Sequence, residues 1–168
     1  MARISPVIAI AATVGLVAAA PASADVPQVM HSFGYKHLLL GMSPRQVWMT
    51  GLITMSMIVD EECAYFTLKE SEGPSAPNTF IGLSRTTGEV TVIDATTPTR
   101  TPRDIGKGST LDELQAAYPD AQQDVAHPTR WIADAPENPA AQYVFTVSTF
   151  TGEVGAYWLE SDDNTCPN

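Results

Sequence analysis

The stretch Ser84-Arg-Thr-Thr-Gly-Glu-Val90 returns as Ser148-Thr-Phe-Thr-Gly-Glu-Val154, at a spacing of 64 residues. Upstream, Gly41-Met-Ser-Pro-Arg-Gln-Val47 is echoed by Gly108-Ser-Thr-Leu-Asp-Glu-Leu114, at a spacing of 67. Two echoes at nearly one offset predict a duplicated module, and self-similarity of this kind sets a whole architecture. In both Thr-Gly-Glu-Val strings the glycine supplies the left-handed backbone that a hairpin turn needs, at little steric cost. The string therefore reads as a turn signature, not as a functional motif.

Working outward, residues 79–84 and 89–94 flank the first turn as strands, and 142–149 and 153–160 flank the second. Residues 63–68 and 130–133 supply one further strand in each half. Ahead of these come two helix starts. Ser43 is followed by Pro44 at the first helical position and by Gln46, and Thr110 is followed by Glu113. Both match a capping box, in which a hydroxyl and an acid or amide satisfy orphan backbone N–H groups. Leu111, Leu114 and Ala117 share one helical face, as do Val47 and Leu52, and Gly51 and Pro119 are natural stops.

The expected fold is α+β: two tandem helix-plus-antiparallel-sheet repeats sharing one sheet of about six strands, with the helices on one face. Repeat 1 covers residues 25–97, and a linker with repeat 2 covers 98–168, together forming one domain. Residues 95–107, rich in Thr, Pro and Arg, suit an extended linker, and Pro-bearing loops fall at 71–78 and 135–141. With a two-residue turn at Thr151-Gly152, Phe145 and Val147 share an apolar face with Val154, Ala156 and Trp158, under the helices. The opposite face then carries Tyr157, Thr146, Val144 and Leu159, the candidate binding face. A one-residue bulge exchanges these faces.

Residues 1–24 read as a secretory signal peptide. Arg3 opens it, residues 7–20 form an apolar run, and Ala22-Ser23-Ala24 is a small-residue cleavage site. Fourteen apolar residues fall short of the roughly 20 needed to span a bilayer. Cleavage after Ala24 leaves 144 of the 168 residues, a chain expected to be extracellular and monomeric, without membrane insertion. Losing Arg3 leaves eight Lys and Arg against 19 Asp and Glu, hence a net charge of −11. Nucleic acid and anionic membrane attract clusters of Lys and Arg, so neither is an expected partner. The two cysteines of an exported chain predict one disulfide, Cys63–Cys166, with two free thiols as the alternative.

Gly41-Met-Ser-Pro-Arg-Gln-Val47, entering a helix and followed by Gly51, resembles the Gly-Met-Thr/Ser-x-x-Gln/Glu-Val signature of the β-lactamase inhibitory proteins. These are secreted bacterial proteins of two tandem helix-plus-sheet repeats. The signature is also similar to that of the SmpA/OmlA-type outer-membrane assembly lipoproteins, which carry one copy, and of secreted actinobacterial proteins. The resemblance implies the fold plan and an inhibitor-like binder. It departs at Ser109, which stands where the signature has Met, and in the inhibitors' two disulfides, each within one repeat. No binding residue carries over.

For chemistry the chain holds no Gly-x-Ser-x-Gly elbow, His-Glu-x-x-His, phosphate-cradling loop or Cys-x-x-Cys. His31, His37 and His127 are isolated and read as surface residues. No cofactor is expected. The disulfide would draw Asp60-Glu61-Glu62 toward Asp162-Asp163-Asn164, making Asp60, Glu62, Asp162 and Asp163 candidates for a hard cation, with two solvated turns as the alternative. The leading expectation is a secreted, non-catalytic binder of an extracellular protein. A cell-envelope structural or assembly factor is the alternative, and an extracellular enzyme the third reading.

Overall fold

The computed structural model describes residues 28–166, without the side chains of 55–57, and the leader read at 1–24 lies outside the described residues. The order opens with three short strands, β1 (Gln28–His31), β2 (Gly34–Tyr35) and β3 (Leu38–Leu39). Helix α1 (Pro44–Met49) leads into β4 (Ile53–Val59), β5 (Cys63–Leu68), β6 (Ile81–Ser84) and β7 (Val90–Asp94). After β8 (Thr99–Arg100), helix α2 (Leu111–Ala117) leads into β9 (Gln122–Gln123), β10 (Arg130–Asp134), β11 (Ala141–Val147) and β12 (Val154–Ser161). The protein is α+β, mostly strands, in two sheets. The larger has eight strands in the order β4-β5-β6-β7-β12-β11-β10-β9, every neighbour antiparallel. The smaller runs β3-β2-β1-β8, with β1 and β8 parallel.

Both helices begin where the capping boxes place them. The Thr110 N–H donates to Glu113 Oε2 at 2.8 Å, and the Glu113 N–H donates back to Thr110 Oγ1 at 3.2 Å. The Ser43 N–H donates to Gln46 Oε1 at 2.9 Å. The strands exceed the expected six because β4 and β9 extend the sheet at its two edges. Nor is 95–107 only a linker. It holds β8, with Thr96, Thr99 and Thr101 buried, and the Thr96 and Thr99 hydroxyls satisfy one another at 2.5 Å.

The two Thr-Gly turns are built alike. The Gly88 N–H donates to Ser84 O at 2.8 Å and the Ser84 N–H to Glu89 O at 2.9 Å; Gly152, Ser148 and Glu153 repeat those bonds at the same lengths. Gly88 and Gly152 take φ of 73° and 70°, the left-handed region that favours glycine. Each loop therefore spans residues 85–88 or 149–152, rather than two residues. Each hairpin also carries one bulge residue at the matching place. Thr91 stands unpaired between the Leu83–Val90 and Gly82–Val92 pairs, and Gly155 between Val147–Val154 and Thr146–Ala156.

Alternation along the strands sends one face of the large sheet into a single core. Phe66, Ile81, Ile93, Tyr143, Phe145 and Leu159 meet Val47 of α1, Leu114 of α2, and Met30, Tyr35 and Leu38 of the small sheet. Phe145 lies at the centre, stacked on Tyr157 at 5.6 Å and tilted against Tyr118 at 5.8 Å. Polar ties fix the small sheet across this core. The Tyr143 hydroxyl donates to Met30 O at 2.9 Å, and Asn138 Nδ2 donates to Ser32 O at 2.8 Å. On the other side the Tyr35 hydroxyl donates to the buried Glu72 carboxylate at 2.9 Å, and Lys36 pairs with the same oxygen.

Burial alone would raise the Glu72 carboxyl, but the Lys36 and Tyr35 hydrogen bonds and the charges of Lys36 and His37 outweigh it. The group is held below its usual range. A carboxylate whose folded-state pKa is depressed contributes stability above the ordinary value, and that contribution is lost as pH falls through the folded one. Thermal melts of the wild type should therefore drop steeply below about pH 4. Glu72→Gln should lower the melting temperature at pH 7 and flatten part of that acid limb.

Candidate binding face

The face of the large sheet turned away from the helices is built from the other half of each strand's alternation. Its centre is a closed strip of Cys63, Val92, Val144, Trp158 and Cys166, with Tyr65 and Ile132 half-buried against it. The Cys63–Cys166 disulfide spans 103 residues of sequence and straps the C-terminal tail onto this strip. Gly82 makes room for it: a Cβ there would stand 2.3 Å from Val92 Cγ1 and 3.2 Å from Cys166 Cβ. Glu160 organises the far side. Its carboxylate accepts from Trp158 Nε1 and Gln142 Nε2, both at 2.8 Å, and from Asn164 Nδ2 at 3.2 Å. The Arg130 guanidinium lies 5.2 Å from the Trp158 ring centroid, a cation–π contact.

Beside the strip, toward the β4 edge, the same face is open. Tyr65 and Phe80 meet edge-to-face at 6.1 Å, and Ile58 pairs with Tyr65 across β4 and β5. Phe80, just ahead of β6, is 39% exposed and Ile58, on β4, 59%, large values for apolar side chains beside a sheet. The Thr54 and Thr67 hydroxyls bond to each other at 2.8 Å between the same two strands. At the seam of β7 and β12 this face also holds a cleft of about 240 Å³, with Asp94, Thr97, Lys107, Gly155 and Trp158 in its walls.

The structure divides the expected binding face. Tyr157 and Leu159 point into the core, opposite Phe145 and Tyr143, while Val144 and Thr146 stay on the outer face. Trp158, expected under the helices, lies outward against Val144. The bulge at Gly155 is the cause. Lengthening the loop from two residues to four preserves face parity, whereas one inserted residue inverts it for everything beyond. Val144 is itself buried and Thr146 half-buried, its hydroxyl donating to Ala156 O at 3.1 Å. The open residues are instead Ile58 and Phe80, with half-buried Tyr65 between them. A signal for one was legible: Tyr65 and Phe66 are consecutive in a strand, so they must face opposite ways.

The acidic runs act as turns. Asp60 Oδ1 accepts the Glu62 and Cys63 N–H groups at 2.9 and 2.6 Å, and Asn164 Oδ1 accepts the Cys166 N–H at 3.0 Å. Among the described residues no three His, Cys, Asp or Glu side chains gather in a way that could hold a metal ion, so Asp60, Glu62, Asp162 and Asp163 are not brought into one site. The histidines serve local loops. His31 and His37 bond to Lys36 O and Thr50 O, and His127 to the Asp124 carboxylate at 3.0 Å. Among the described residues, no helix is long and apolar enough to cross a membrane.

No protein-family model matches this chain, and no curated protein does. Its fold is similar to the crystal structure of the uncharacterized protein yfeY from Escherichia coli, with a TM-score of 0.50 and 12% identity over 81% of this chain and 99% of that one. At that identity the likeness is one of fold alone.

Two outcomes follow from the strapped tail. Gly82→Val should disrupt the packing of Val92 and Cys166 and lower stability by about 1–3 kcal/mol, the range for overpacking, read as a fall in the denaturation midpoint. Replacing both cysteines by serine should lower stability more, up to roughly 4–5 kcal/mol for a loop of this length. Loss of tail contacts should then appear as new fluorescence from Trp158.

Proposed function

We propose that this protein is an exported, non-catalytic binding protein that engages an extracellular protein through the outer face of its large sheet. The observation that carries this reading is the flank of exposed Ile58 and Phe80 around half-buried Tyr65, an apolar and aromatic surface at the edge of the large sheet. Aromatic anchors on a rigid support are what interface hot spots are made of. Contiguous exposed apolar surface, especially beside a polar rim, marks protein contact sites.

We also read the chain as two copies of one helix-plus-four-strand module, the plan of the β-lactamase inhibitory proteins that its helix signature resembles. The support is local: the same capping box, the same four-residue turn and the same bulge position recur in both halves. The leader at 1–24 and the Cys63–Cys166 bridge agree with export.

The test is affinity capture with the oxidised mature protein from the producing organism's own culture supernatant. Wild type should retain a protein partner that Tyr65→Ser with Phe80→Ser loses by at least about tenfold, the effect of removing a modest hot spot. Phe150→Ser, at an exposed hairpin tip on the far turn, should retain it. A partner kept by the double variant would move the site elsewhere, and co-fractionation with cell wall alone would replace the binder with an envelope role.

A further inference from the structure

The two halves of the large sheet are joined through only three paired positions, Trp158–Asp94, Leu159–Ile93 and Glu160–Val92. One further bond, from the Ala95 N–H to Tyr157 O at 3.0 Å, closes the seam. Beyond it the chains part, with residues 95–97 on one side and 155–156 on the other, and the gap is the 240 Å³ cleft.

Two features of that cleft bear on what it could hold. The first is Gly155. Its backbone is not left-handed, and an added Cβ would meet only Thr146 O, at 3.9 Å. The matching bulge position in the other half is Thr91, so the bulge itself accepts a side chain. A glycine that the backbone does not require leaves room there for another backbone to approach closely. The second is Lys107. It is exposed, and among the described residues it forms no ion pair. Its loop is nonetheless held in place, because the Gly108 N–H donates to Val154 O and the Val154 N–H to Ser109 O, both at 2.8 Å. Asp94 also lines the cleft, with Oδ2 accepting the Phe80 N–H at 2.8 Å.

We propose that this cleft captures the carboxyl terminus of a polypeptide chain. Lys107 pairs with the terminal carboxylate, and the last residue lies over the bare backbone of Gly155 beside Trp158. The inference rests on the binding role proposed above and names the part of the partner that anchors it. An acidic protein repels carboxylates in general, so capture must be local to the Lys107 ammonium at the seam.

The experiment uses ¹⁵N-labelled, oxidised mature protein titrated with a pool of N-acetylated tripeptides bearing free carboxyl termini, and with the same pool amidated. The free-acid pool should shift the Trp158 indole and Gly155 amide resonances saturably, and the amidated pool should bind about tenfold more weakly, the loss of one charge-assisted hydrogen bond. Lys107→Gln should abolish the difference between the pools, Gly155→Val should block both, and Lys69→Gln should change neither. Unchanged resonances elsewhere report that each variant is folded. Equal binding of the two pools, a preference that survives Lys107→Gln, or no shift at all overturns the inference. So does acetate alone reproducing the shifts at the same concentration, which would make this a site for any small carboxylate. If the cleft fails while the Tyr65 and Phe80 double variant still loses its partner, the binding role stands without this anchor.

Discussion

The antiparallel contact between β7 and β12 is the constraint on which the rest of the molecule depends. Each half of the chain turns its own four strands into a meander, each strand pairing with its neighbour in sequence. Only Val92, Ile93 and Asp94 against Glu160, Leu159 and Trp158 make the two meanders one sheet. Because residues alternate across a strand, this short seam feeds both faces at once. Ile93 and Leu159 close the core beneath the helices, while Val92 and Trp158 begin the strip on the outer face. Three ladder pairs are little to hold two halves together, and the structure reinforces them from both sides.

On the inner side the reinforcement is the small sheet. Met30, Tyr35 and Leu38 bury themselves over the join, tied to one half through Tyr143 and to the other through Glu72. Glu72 remains ionised at neutral pH because two donors reach its carboxylate, an arrangement that contributes only while both donors stay paired. On the outer side the reinforcement is covalent. The disulfide carries the end of the chain back to β5, so that the tail covers both halves of the strip. What this leaves uncovered is the flank near the β4 edge and the cleft where the seam opens. The surface free for a partner is thus the remainder after the sheet has been secured.

Much of the local plan was legible in the residues. Ser43 with Gln46 and Thr110 with Glu113 announced the helix starts, and the two Thr-Gly strings announced the hairpins, since each depends on backbone hydrogen bonds within a few positions. The Cys63–Cys166 pairing was legible because no other cysteine exists. The edge strands were not. β4 and β9 are defined by what lies beside them, and nothing in the two residues of β9 distinguishes them from a loop. The small sheet was hidden for the same reason: β1 pairs with β8 across some seventy residues, and a two-residue strand has no periodicity to read.

The face assignment shows where local reading ends. Sequence alone determined that Phe145, Tyr157, Trp158 and Leu159 belong to strands and that alternate members must oppose one another. It could not determine which members point inward, because one extra residue at Gly155 inverts the whole set. That bulge is a property of the pairing between β11 and β12, with the same offset recurring at Thr91 between β6 and β7. The tertiary structure decided it by the energetics of burial: the arrangement that stacks Tyr157 on Phe145 and seats Leu159 in the core is the one that also turns Trp158 outward to meet the tail. The doubled turn located the hairpins, and packing chose their faces.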